Sequence, residues 1–160
     1  MKFIKADKGT FSFQIDGKEK HLLFEVLGLY PLIPASHHRL SKSEERVEDQ
    51  QLLEQALAAS RREHKKQVHA MLKANSRFRA NEKGYRFSLK TAEMEWLLQV
   101  LNDVRVGGWL ALGSPDGALE ILAVLNDKTA PYLWAMEVAG HFQTVLLQAM
   151  NGSQSLTLED

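Results

Sequence analysis

The chain has no cysteine in its 160 residues. That excludes disulfide staples, thiolate zinc sites and a cysteine nucleophile, and it is compatible with a reducing cytosol. Net charge is also missing, because 20 basic residues are balanced by 20 acidic ones. There is no Gly-rich phosphate loop, GxSxG elbow or HExxH string, so the common local signatures of phosphate binding, serine hydrolysis and zinc proteolysis are not available. No apolar run approaches the length of a membrane span. The opening segment MKFIKADKGT meets charge within five residues and does not develop the apolar stretch of a signal peptide. A cytoplasmic protein without membrane contact is the expectation.

With 44% hydrophobic and 25% charged residues, the chain has enough apolar material to bury one proper core. Its most informative feature is an internal similarity. Residues 11–27, FSFQIDGKEKHLLFEVL, recur in altered form at 85–101, YRFSLKTAEMEWLLQVL. Phe11, Phe13 and Ile15 find Tyr85, Phe87 and Leu89 at the same alternate spacing, while Glu19, Leu23, Val26 and Leu27 recur as Glu93, Leu97, Val100 and Leu101. Both copies read as strand, turn, helix.

Around these copies the remaining elements fall into place. Lys2–Ala6 and Thr10–Ile15 alternate as strands about the turn Asp7-Lys8-Gly9, giving an N-terminal hairpin. Asp16 caps a helix over 18–30 with Glu19 reaching back, and Pro31 and Pro34 end it. Residues 35–43 form a polar loop. Glu44 to about Ala74, free of Gly and Pro, predicts one long helix with Val47, Leu53, Leu57, His64, Val68 and Met71 as its core stripe. Asn75–Gly84 reads as a polar connection leading to the strand 85–89. The helix 91–112 is apolar nearly all round and is therefore central, and Gly107-Gly108 would let another backbone approach closely. Residues 118–125 fit a short helix or a strand, with helix favoured. Pro131 opens a last helix to about Met150, Asn151-Gly152 resembles its cap, and 151–160 is a frayed tail. The fold expected is a single α+β domain over 1–150, predominantly α. A small antiparallel sheet (2–6, 10–15, 85–89) packs with four or five helices, and two strand-helix units are related by the repeat.

The string WLLQVLNDVRV at 96–106, followed by Tyr132-Leu133-Trp134 and Phe142-Gln143, resembles the WLxxLNDxRL and LYxWLxxLQ patterns of a bacterial family. That family is catalogued as a domain of unknown function, number two-zero-one-seven. The resemblance is strongest over 85–150 and departs at Gly107-Gly108 and along 118–125. It implies an architecture and no activity or catalytic residue.

Three sets of residues are candidates for function. Asn102, Asp103 and Arg105 interrupt a helix that otherwise asks to be buried, so Asp103 needs a basic partner or backbone N–H donors from another element. No catalytic residue is assigned, and these three are the weak candidates for an enzyme site. Six histidines raise the question of a metal, but His37-His38 are adjacent and His64 and His69 are five apart, a spacing that does not share a helical face. No metal site and no cofactor are expected.

The third set comes from uneven charge. Between Arg61 and Lys90 ten Lys or Arg meet two acids, whereas from Thr91 to the end nine acids meet only Arg105 and Lys128. Arg62, Lys66, Lys73 and Arg77, with His69 and extended by Arg79 and Lys83, form a basic stripe able to track phosphates, although no helix-turn-helix or aromatic stacking run accompanies it. The preferred function is a non-enzymatic binding or regulatory module. The alternatives are a small enzyme around Asp103 and Arg105 and a weak nucleic-acid binder using the stripe. A twofold homodimer is expected through the apolar surface of the last helix with Trp109 and Trp134, and a protein partner is also open.

Overall fold

The computed structural model describes residues 1–33 and 47–157, and it is an α+β fold dominated by helices. Strands β1 (Lys2–Asp7) and β2 (Thr10–Ile15) form the N-terminal hairpin, and helix α1 (Gly17–Gly28) follows. Helix α2 (Val47–Lys73) and a short 3-10 turn (Asn75–Arg77) lead into β3 (Arg79–Asn81), β4 (Gly84–Lys90) and helix α3 (Thr91–Ala111). The short helix α4 (Ala118–Val124) and the long α5 (Ala130–Thr157) complete the described chain.

All four strands lie in one antiparallel sheet of order β1-β2-β4-β3. The two strands of the sequence similarity are its central neighbours, with Phe11 opposite Leu89, Phe13 opposite Phe87 and Ile15 opposite Tyr85. Alternation along each strand puts Phe11, Phe13, Ile15, Phe87 and Leu89 on one buried face. There Phe13 and Phe87 stack at 5.4 Å, and Phe78 adds a third ring 4.8 Å from Phe87. Against this layer pack α1 through Leu23, Val26 and Leu27, α3 through Met94, Leu97, Val100, Leu101 and Val104, and α5 through Ala135, Ala139, Phe142, Leu146 and Ala149.

The helix starts follow local chemistry. Asp16 Oδ1 accepts the Glu19 N–H at 2.8 Å while Glu19 Oε2 accepts the Asp16 N–H at 3.2 Å, closing a capping box. At α3 only the returning half is made, from the Lys90 N–H to Glu93 Oε2 at 2.8 Å, since a lysine side chain has no acceptor to complete it. In each case the carboxylate's other oxygen meets a cation, the Met1 ammonium on Glu19 and Arg77 on Glu93.

The glycine pair does what its position in a buried helix suggests. A Cβ on Gly107 would sit 2.8 Å from the backbone of Leu32, and one on Gly108 would sit 2.8 Å from the Tyr132 carbonyl of α5. Both contacts depend on the missing side chain.

Four expectations need correction. The segment 75–84 is not merely a connection, because Arg79–Asn81 pairs with β4 as an edge strand. Three exposed residues give no alternation to read. Of the stripe foreseen as core on α2, only Val68 and Met71 are buried, and nothing in the helix's first half is. Helix α1 stops at Gly28, two residues short of the range read from the prolines, and Pro34 lies outside the described residues. Finally, α5 runs through Asn151-Gly152 to Thr157. Gly152 keeps a negative φ, so it continues the helix where a left-handed cap would have ended it. Residues 118–125 resolve as helix over Ala118–Val124. Among the described residues no helix is long and apolar enough to cross a membrane.

Candidate functional site

The three polar residues of α3 do not converge. Asn102 and Arg105 are exposed, while Asp103 is half-buried and turned toward the chain that follows α1. Its Oδ1 accepts the N–H of Leu32 at 2.9 Å and that of Ile33 at 3.3 Å, and Arg61 Nη2 lies 3.9 Å from Oδ2. Asp103 thus obtains both kinds of partner that burial demands, and the Arg61 pair, being long and partly exposed, contributes least. Burial and then the Asp103 charge push the Tyr30 phenol above its ordinary value, against an opposing effect from Arg61. Arg105 instead lines a groove between α3 and α5 with Val106, Trp109, Met136, Glu137 and His141.

The basic residues separate as well. Arg62, Lys66 and Lys73 stay exposed on α2, as does His69, but the helix ends at Lys73 and Arg77 leaves the stripe. Its guanidinium Nη2 binds Glu93 Oε1 at 2.6 Å. Burial pushes the Glu93 carboxyl up, but the hydrogen bonds from Arg77 and the Lys90 N–H, with the charges of both side chains, outweigh it and leave the pKa lowered. A lowered carboxylate pKa stabilises the fold above the ordinary value of 4.5, and that contribution is lost as pH falls from there through the lowered value. Replacing Arg77 by Met should therefore flatten the acid side of the stability profile. Urea midpoints measured against pH provide the check, and an unchanged acid limb in Arg77→Met would contradict the assignment.

A second basic surface, of which the extended stripe held only Arg79, lies on the sheet. Residues opposite one another share a face. The face turned away from the core therefore carries Lys2, Lys5 and Asp7 of β1, Thr10, Ser12 and Gln14 of β2, Arg86, Ser88 and Lys90 of β4, and Arg79 and Asn81 of β3. Five cations meet one acid there. One row across all four strands reads Lys2, Gln14, Arg86, Arg79, with the two arginines directly opposite. Like charges in that relation repel. Lys2, Lys5, Arg79 and Arg86 make no ion pair or side-chain hydrogen bond to the described residues. The polar floor is organised, with Ser12 Oγ 2.9 Å from Ser88 Oγ, and Gln14 and Asn81 bonded side chain to side chain at 3.0 and 2.9 Å.

Where β3 stops short, a groove of about 740 Å³ opens beside β4, lined by Ser12, Ser88, Arg77, Arg79, Arg86 and Lys90 among others. Ala74 borders it too, one residue beyond Lys73, so the exposed stripe of α2 ends at the rim of the sheet groove. Strand parity in 84–90 alone could have put Arg86, Ser88 and Lys90 together opposite Phe87 and Leu89. The Arg79–Arg86 pairing could not be read that way, because it depends on a strand the sequence hides.

His64 sits in a cleft between α2 and the start of α3, its ring 6.3 Å from that of Tyr30, and His69 is exposed. His37 and His38 lie outside the described residues. Among the described residues no three His, Asp or Glu side chains are placed to hold a metal ion. No family model, curated protein or solved structure matches the chain.

Proposed function

We propose that the protein is a non-enzymatic, cytoplasmic binding module that holds the phosphate backbone of a nucleic acid across the open face of its sheet, with the α2 stripe as an extension. The observation that carries this reading is the uncompensated row Lys2, Gln14, Arg86, Arg79. Two arginines held opposite each other without an acid among the described residues cost stability, and an anion between them reverses the sign of that interaction. Neighbouring strands are ~4.8 Å apart, so the row spreads positive charge over roughly 14 Å, enough for more than one phosphate of an extended strand. Ser88, Gln14 and Asn81 supply neutral donors between the cations, with the buried Ser12 bonded beneath Ser88.

The face has no exposed aromatic ring on which bases could stack, so the contact is to backbone and indifferent to sequence. The enzyme alternative has less support, since Asp103 and Arg105 serve different surroundings. We infer too that the two hairpin-helix units are copies of one repeat, which the matched roles of Glu19 and Glu93 support. The likeness to the bacterial family of unknown function is consistent with this and adds no activity.

Titration of a labelled single-stranded oligonucleotide at low salt should show binding whose log affinity falls linearly with log salt. Replacing Arg79 and Arg86 by alanine should weaken binding at least tenfold and reduce the salt slope by roughly 1.4, two lost phosphate contacts on a single strand. Replacing Lys66 and Lys73 by glutamate should weaken it less. Absence of binding by the native chain at ~50 mM salt, where such contacts are strong, would overturn the reading. A loss confined to the α2 variant would move the site to the helix.

A further inference from the structure

Helix α4 has no buried residue. Leu119 is 84% exposed and Leu122 66%, Val124 and Leu125 lie open beside them, and only Ile121 is half-covered. Isolated helices shorter than ~12–15 residues are marginal in water, so seven residues, rich in leucine and without a covered face, call for a surface to lie against. The arm is set off from the body by Gly113, Ser114 and Gly117, all at positive φ, and its base is fixed by the Trp109 Nε1–H donating to the Pro115 carbonyl at 3.1 Å.

Trp109 itself lines the α3–α5 groove, about 690 Å³, whose apolar floor is Val106, Trp109 and Met136 and which no α4 residue enters. Among the described residues, a helix arm without a seat and a groove without an occupant therefore start from the same tryptophan. We propose that the protein is a homodimer in which α4 of each copy lies in the α3–α5 groove of the other about a twofold axis.

Two further points favour a second copy over another partner. The arm 113–125 carries Asp116 and Glu120 and no base, while the groove presents Arg105, which has no ion-pair partner among the described residues; Glu137 is the single like charge it must pass. A reciprocal arrangement also counts every contact twice. A seven-residue helix is ~10 Å long and ~10 Å wide. Two such arms and two grooves, at roughly 200–250 Å² each, bury about 800–1,000 Å² and so come to the threshold of a stable interface, whereas one arm on a foreign surface buries half as much.

Light scattering on the full chain should give twice the monomer mass at micromolar concentration, and Leu119→Asp with Leu122→Asp should give the monomer mass with an unchanged circular dichroism spectrum. Because the chain has no cysteine, crosslinks report placement without background. Chains carrying Leu122→Cys mixed with chains carrying Met136→Cys should form the disulfide heterodimer, and neither should crosslink alone. A monomeric native chain overturns the proposal. So does a Leu122→Cys chain that crosslinks to itself, which would put arm on arm. A Leu122→Cys, Met136→Cys double variant that closes within one chain would return the arm to its own groove and overturn it as well.

Discussion

Replacing Gly108 by valine should destabilise the protein by about 3 kcal/mol, the upper end of what overpacking a tight contact costs. A Cβ at this position would meet Met136 Cγ and the Tyr132 carbonyl oxygen, each at 2.8 Å. The methionine can rotate aside, but the carbonyl belongs to the first turn of α5, and moving it separates α3 from α5, which both pack into the core. Alanine at 108 should cost less than valine because its helix propensity, better than that of glycine by about 1 kcal/mol, offsets part of the clash. Gly152 supplies the control: it lies in the same class of backbone with nothing within 4 Å of an added Cβ. Gly152→Ala should stabilise by about 0.5–1 kcal/mol. Urea denaturation separates the two, and a Gly108→Val variant within about 0.5 kcal/mol of the native chain, the range of ordinary surface changes, would mean that α3 and α5 do not approach as described.

This helix contact was legible in the sequence because two glycines inside an otherwise apolar helix have few uses other than close approach. The central strand pair was legible for a similar reason, since alternating aromatic and aliphatic residues in two related segments have to bury one face each. What stayed hidden involves elements that bury nothing. Arg79–Asn81 pairs only through its backbone, and hydrogen bonding leaves no mark on side-chain pattern. Without that strand, Arg79 reads only as an extension of the basic stripe into a polar connection, and the row that joins Arg79 to Arg86, Gln14 and Lys2 cannot be drawn. The end of α5 is not legible from Gly152 as a residue type, because whether a glycine caps a helix depends on its φ. On α2 periodicity shows which face could be buried, and the length of the body it packs on limits burial to Val68 and Met71.

Asp103 was legible as a need and not as a geometry, and the second large effect follows from how that need is met. Asp103 and Gly107 are four apart on α3 and meet the same residue: Asp103 Oδ1 accepts the Leu32 N–H at 2.9 Å, and Gly107 leaves room for the Leu32 backbone where a Cβ would come within 2.8 Å. Asp103→Ala removes a charged acceptor from two partly buried N–H groups and should cost about 2–3 kcal/mol. Asp103→Asn keeps an oxygen acceptor and should cost about half as much, because bonds to a neutral oxygen are roughly half as strong as bonds to a carboxylate. The Tyr30 phenol, held up in part by the Asp103 charge, should titrate at lower pH in both variants.

Gly107→Ala pushes Leu32 away and so stretches the same hydrogen bond that Asp103→Ala deletes. Once the loop has been released by one change, the other has less left to break. The double variant should therefore cost less than the sum of the single ones by about 1 kcal/mol or more, the coupling expected of residues that share a partner. A cycle built on Asp103 and Gly152, which share none, should be additive within about 0.5 kcal/mol. Additivity in the first cycle would mean that Asp103 and Gly107 do not hold one loop between them.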